Sequence, residues 1–172
     1  MNTAEIIQSS QYLTFHLGSD TFAIDVTNAK EILDYANLTH IPQTPDYMLG
    51  VINLRGSVVP VVDMRLKFGL PAIEATKDSC FIVVEVEIDE DLITVGALVD
   101  SVSEVVEIRS DQVEPPPRLG TKLNNSFIQG MGNLGENFVI ILDINKVFSA
   151  EELDLVQSIG ETEEEETEEM TV

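Results

Sequence analysis

A single cysteine, Cys80, stands in this chain, so neither an internal disulfide nor a cysteine-rich metal site is available to it. The two histidines, His16 and His40, are scattered and fit no zinc-ligand spacing, which leaves no expected metal or cofactor. Apolar runs such as "FVIIL" at 138–142 are far shorter than the roughly 20 residues that cross a bilayer. Basic residues are scarce: nine Lys and Arg face 31 Asp and Glu, for a formal charge of −22. Such a body repels phosphate backbones and anionic lipid, and no local basic patch reverses the sign, so nucleic acid and direct membrane insertion are both disfavoured. The N-terminus "MNTAEIIQSS" lacks a basic segment followed by an apolar one, so no signal peptide is visible and a cytoplasmic location is expected.

What is present is a core-forming composition, 44% hydrophobic, followed by an acidic end. Residues 151–172 carry ten of the acids and no Lys or Arg. Segments of this kind bury too little to offset the entropy of ordering them. The expected organisation is a flexible N-terminus over 1–10, one domain over 11–157 and a disordered acidic tail over 158–172.

Along the chain the apolar period is mostly two. "QYLTFHLG" alternates Leu13, Phe15 and Leu17 with Tyr12, Thr14 and His16. "FIVVEVEI" alternates Ile82, Val84, Val86 and Ile88 with Phe81, Val83, Glu85 and Glu87. Both patterns predict strands with one face in a core. "IDEDL" is a tight connection that makes 81–99 a hairpin. Helical signals are short: one near 63–68, and one at 149–156, where Ser149 and Glu152 form a capping box.

The chain also repeats itself. Laying 50–68 over 130–148 without a gap gives Gly50/Gly130, Asn53/Asn133, Leu54/Leu134, Val59/Val139, Asp63/Asp143 and Phe68/Phe148. Upstream, an offset of 73 pairs Val26 with Val99, Glu31 with Glu104 and Pro42 with Pro115, and sets Ala29 opposite Val102. A seven-residue insertion around "PPRLGTKLNN" reconciles the two offsets. Strands this short and numerous favour small closed barrels, which leave no exposed edge.

Catalytic motifs do not survive this repeat. "GMGNLG" at 130–135 is a literal G-x-G-x-x-G, but a strand follows it where a dinucleotide site needs a helix. No H-R-D or D-F-G of a kinase appears. Asp25, Asp63 and Asp143 invite a carboxylate-pair reading, but Asp63 and Asp143 each stand where a strand ends and a short helix begins, which is N-cap chemistry. Cys80 reads as a buried, inert thiol. With no catalytic set, the chain reads as a binding module and not an enzyme.

Four segments, "YLTFHLGSDTFAIDVTNAKEIL", "IPQTPDYMLGVINLRGSVVPVVDMRLKFGL", "VGALVDSVSEVVEI" and "FIQGMGNLGENFVIILDINKVF", together resemble the CheW family of bacterial chemotaxis coupling proteins, in order and over about residues 11–150. The element G-V-x-N-L-R-G-x-x-x-P-x-x-D at 50–63 is specific for that family and its relatives. The resemblance implies an all-β fold of two small five-stranded β-barrels packed together, with short helices including a C-terminal one. The first barrel is expected mainly over 20–80 and the second mainly over 81–148. It further implies a non-catalytic adaptor that links the cytoplasmic signalling tips of chemoreceptors to the regulatory domain of the histidine kinase CheA in membrane-associated arrays. One alternative is coupling in a related pathway of pili, development or biofilm. Another, of a different class, is a small-molecule-binding or enzymatic barrel.

Subtracting one copy from the other isolates a cation. Asn53-Leu54-Arg55-Gly56 reads as a hairpin turn in which Gly56 supplies the unusual backbone conformation. The second copy closes the same hairpin with Gly135 and Glu136, so the turn does not require Arg55. The resemblance places Arg55 beside Glu31 at a surface shared by kinase and receptor. It also assigns coupling roles to the equivalent pairs Ala29/Val102 and Gly50/Gly130, with Gly56 and Val105 completing the surface. A groove between the barrels, lined by small residues, would then admit a helical hairpin. At Ala29 a larger aliphatic residue is common in the family.

Overall fold

The structure, a computed structural model, describes residues 8–36, 38–42, 46–88, 90–115 and 127–148. Residues 1–7, the expected helix at 149–156 and the acidic tail lie outside them. Eleven strands are described: β1 (Ser9–Leu17), β2 (Asp20–Asp25), β3 (Ala29–Asp34), β4 (Met48–Leu54), β5 (Ser57–Asp63), β6 (Cys80–Ile88), β7 (Asp91–Val99), β8 (Ser101–Arg109), β9 (Val113–Glu114), β10 (Ile128–Asn133) and β11 (Phe138–Leu142). Two short helices, α1 (Met64–Lys67) and α2 (Ile144–Val147), follow β5 and β11. Ser9 already pairs with Arg109, so the sheet reaches into the stretch expected to be flexible.

The strands form a five-stranded sheet, β3-β6-β7-β5-β4, and a six-stranded sheet, β8-β1-β2-β11-β10-β9. The two correspond strand for strand. In one, the β6–β7 hairpin packs between β3 and the β4–β5 hairpin; in the other, β1–β2 packs between β8 and β10–β11. The joints are the parallel pairs β5–β7 and β2–β11. Each sheet therefore contains the first hairpin of one copy and the rest of the other. This corrects the expected division at 20–80 and 81–148. The five-stranded sheet uses 29–63 with 80–99, and the six-stranded one uses 9–25 with 101–142. Self-similarity locates two copies but carries no record of which copy a hairpin pairs with.

Each sheet also closes on itself. Past β3 the chain crosses to the far edge, where Thr39 and Val51 of β4 exchange two backbone hydrogen bonds of 3.0 and 2.9 Å. Past β8, β9 does the same against β10. Edges that would otherwise invite intermolecular pairing are covered.

Closure gives strands two buried faces where the period-two pattern predicted one. Phe81 packs with Ile52, Val59 and Val61 inside the five-stranded sheet, while Ile82 and Val84 join Leu13, Phe15 and Leu17 in a larger core between the sheets. Tyr12, Ala23, Ile108, Val139 and Ile141 form the small core of the other sheet. A run such as "VVPVVD" in β5 is buried almost throughout for this reason. The predicted hairpin at 81–99 and the helix after Asp63 are both present, and Asp63 and Asp143 cap α1 and α2 by accepting from the Arg65 and Asn145 N–H groups at 2.9 and 3.1 Å. Cys80 is buried, and that burial pushes its thiol pKa up. No described helix is long and apolar enough to cross a membrane.

Candidate functional site

The β4–β5 hairpin turns through Arg55 and Gly56, with φ of 50° and 87°. Two successive positive φ values are the pattern of a type I′ turn, whose twist matches that of the flanking strands. Asn53 fixes it, its Oδ1 accepting from the Gly56 N–H at 2.9 Å. In the second copy the positive φ falls on Gly135 alone, as in a type II′ turn, and Asn133 Oδ1 accepts from the Gly135 N–H at 2.9 Å. The turn thus needs a glycine at one of its two places and no arginine at either. Arg55 itself adopts a conformation that a side chain disfavours by roughly 1 kcal/mol.

Arg55 meets Glu31 with a two-pronged grip: Nη1 donates to Oε2 at 3.2 Å and Nη2 to Oε1 at 2.5 Å. Glu31 lies on β3 and Arg55 on the hairpin from the opposite edge of the sheet, so the pair spans the closed seam. The hydrogen bond from Arg55 outweighs desolvation and lowers the Glu31 carboxyl pKa, while Glu31 raises that of Arg55. The arginine side chain is 73% exposed and the glutamate 27%. An open pair of this kind contributes little to folding and is weakened by salt.

The pair borders an open depression of about 770 Å³. A bulge in β3 between Ala29 and Glu31 turns both Lys30 and Glu31 toward it, and Lys30 pairs with Glu85 at 2.6 Å on its other side. Val58, Leu92 and Ile93 supply apolar lining. Charges of both signs around an apolar floor suit a protein partner better than a small ion.

The other expected residues divide. Ala29 and Val102 are half-buried on matching strands, opposite Val84 and Phe15, and both pack against the core between the sheets. Val105 is exposed on β8. Gly50 and Gly130 are buried, each just after an equivalent bulge, in β4 and β10. A Cβ on Gly50 would collide with the Thr39 carbonyl, and one on Gly130 would stand 2.7 Å from Val113 Cγ1 and 3.0 Å from the Glu114 carbonyl. What approaches these glycines closely is the chain's own closing strand.

With this geometry in view, comparison with known proteins is decisive. A CheW-like domain model matches residues 11–152. The chain belongs to the CheW-like family. It is 35% identical to a chemotaxis protein CheW of Klebsiella aerogenes over 88% of this chain and 89% of that one. Against the CheW of Helicobacter pylori it is 35% identical over 80% of each. The crystal structure of the scaffolding protein TtCheW from Thermoanaerobacter tengcongensis superposes with a TM-score of 0.73 at 30% identity, covering 83% of this chain and 94% of that one.

One ion pair of this CheW-like fold escaped the sequence reading. Arg65 Nε and Nη2 donate to Asp100 Oδ1 and Oδ2 at 2.7 and 2.6 Å, with side chains only 15% and 20% exposed. Asp100 also accepts from the Gly18 N–H at 2.7 Å, and Arg65 Nη1 donates to the Pro71 carbonyl at 3.1 Å. The clamp ties α1 to the junction of β7 with β8 and to the β1–β2 turn, and so holds one sheet to the other. Burial alone would raise the Asp100 pKa; Arg65 and the Gly18 N–H outweigh it and lower it. The equivalent of Arg65 is Asn145, whose Oδ1 accepts from the Glu87 N–H at 2.8 Å near the tip of the other exchanged hairpin. Repeat subtraction, which isolated Arg55, isolates Arg65 as well.

Proposed function

We propose that this chain is a non-catalytic coupling protein that binds the regulatory domain of CheA and the cytoplasmic tips of chemoreceptors, and so sets kinase activity in membrane-associated arrays. The observation that carries this is the continuous CheW-like match over 11–152, which spans both closed sheets and every element around the Glu31–Arg55 pair. That pair is open to solvent, costs the turn some backbone strain and adds little to the fold, which suits a residue kept for a partner. The coupling surface takes in Glu31, Arg55 and Gly56 at the seam, with Ala29, Val102 and Val105 on the matching strands. Gly50 and Gly130 act on it indirectly, by letting the closing strands lie tight against β4 and β10.

Co-sedimentation with purified receptor signalling fragment and CheA tests the assignment: a three-way complex is expected, and recovery of the chain with neither protein would contradict it. Coupling to a kinase of a pili, development or biofilm pathway would preserve the same contacts with different partners.

Two further results are expected. In a double-mutant cycle, Arg55→Ala and Glu31→Ala should be close to additive in thermal stability, because the pair is exposed. Both should lower receptor-dependent kinase activation. Arg55→Gly should keep or slightly raise stability, since glycine accepts the positive φ, and still lose activation. Variants that activate as well as the parent would make Arg55 a solvated turn residue only. Removal of residues 159–172 should leave both folding and complex formation intact, as expected of a glutamate run with little to bury; loss of the complex at physiological salt would make the tail a binding element.

A further inference from the structure

We propose that the β10–β11 hairpin tip, together with Glu104, docks a protein partner that presents an arginine flanked by apolar side chains. The inference rests on the coupling role and extends it to a second surface. The first copy shows what such a site looks like when filled. There Glu31 follows the β3 bulge, opposite Val83, and is gripped by Arg55 from the hairpin tip. Glu104 occupies the matching place on β8. The same irregularity sets residues 103 and 104 against the single residue Thr14 of β1, and Thr14 holds Glu104 by its backbone, donating from Oγ1 to the carbonyl at 2.7 Å and accepting from the N–H at 3.1 Å. At the place of Arg55, however, stands Gly135, and no cation pairs with Glu104 among the described residues.

The apolar neighbours differ in the same sense. Leu54 and Val58 flank the first tip half-buried against core residues. Their counterparts Leu134 and Phe138 are 37% and 49% exposed. A carboxylate with no cation partner among the described residues, matched through the repeat to a hairpin tip that carries an exposed leucine and phenylalanine, is complementary to an arginine within an apolar surface: the guanidinium supplies the fork that Arg55 supplies in the first copy, and the apolar rim excludes water around it. The strongly negative chain also favours approach of such a cationic surface.

The test titrates full-length chain with purified CheA and, separately, with purified receptor signalling fragment. Glu104→Arg should weaken binding to at least one of them by about tenfold or more, through like-charge repulsion, and Leu134→Ser/Phe138→Ser should do likewise. Thermal melts should stay unchanged, because these side chains are exposed. Gly135→Arg/Glu136→Gly moves the first copy's turn into the second and gives Glu104 an arginine of its own. It should compete with the partner and weaken binding to a similar extent. A parent that binds while Glu104→Arg binds both proteins within twofold of it would overturn the proposal alone; a parent that binds neither would overturn it together with the coupling role. Arg118 and Lys122 belong to "PPRLGTKLNN", outside the described residues; an equal loss of binding in Arg118→Ala/Lys122→Ala would assign the site to that segment and overturn the proposal, as would a Glu104→Arg effect confined to self-association.

Discussion

Gly50→Asp is expected to unfold the protein and not merely to blunt a binding surface. Gly50 has φ of 152°, and its missing side chain faces the Thr39 carbonyl, which accepts from the Val51 N–H at 2.9 Å in the bridge that closes the five-stranded sheet. Even Gly50→Ala forces that bridge apart, and overpacking combined with backbone strain costs on the order of 3 kcal/mol. Aspartate adds a charge at a buried position where the nearest described atoms are a backbone carbonyl and Cα. Gly130→Ala meets a valine methyl and a carbonyl without the strained φ, so its cost should be smaller, about 1 to 2 kcal/mol. Urea unfolding and circular dichroism distinguish the cases: a folded Gly50→Asp with selectively weakened receptor binding would restore this glycine to a direct contact surface.

Arg65→Ala should be the most damaging charge removal among the ion pairs described. It leaves Asp100 four-fifths buried, with the Gly18 N–H as its remaining hydrogen bond among the described residues and His16 as a weaker electrostatic neighbour, and breaking one partner of a buried pair exceeds the loss of the pair itself. Allowing for the remaining exposure, about 2 kcal/mol is expected, and Arg65→Ala/Asp100→Asn should recover part of it. The pH dependence has a defined sign. Because the Asp100 pKa is lowered in the folded state, its contribution is present above its ordinary value of about 3.9 and is lost as pH falls through the folded value below that. Asp63 works in the opposite direction: burial, against the backbone N–H groups of Arg65 and Leu66, raises its pKa, so its ionisation weakens the fold as pH rises between its ordinary and raised values. The stability gap between parent and Asp100→Asn should therefore narrow in acid. A gap that widens as pH falls below about 4 would show that the clamp does not hold this carboxylate ionised.

The two-copy plan was legible because Gly50, Asn53 and Asp63 recur as Gly130, Asn133 and Asp143, and the asparagine and aspartate pairs each meet a local need, a turn and a helix cap. Arg55 was legible because its counterpart is a glycine. The exchange of hairpins between copies was not. β7 and β2 occupy matching places in the two copies, and nothing in "LITVGALV" says that it lies parallel to β5 of the other copy. Arg65 differs from its counterpart Asn145, but Asp100 stands 35 residues away with nothing local to single it out, so only the fold reveals the two as a clamp. The glycines were recognised as special, but the atoms that require them belong to Thr39, Val113 and Glu114, contacts that local pattern cannot supply.

The claim that this chain couples receptor to kinase is tested most directly by reconstituted CheA autophosphorylation with a receptor signalling fragment, measured with and without the chain. Activation is expected only when all three proteins are present, and Arg55→Gly, folded and as stable as the parent, is expected to abolish most of it. Kinase activity that is the same with and without the chain, at concentrations where a three-way complex forms, would contradict the coupling role.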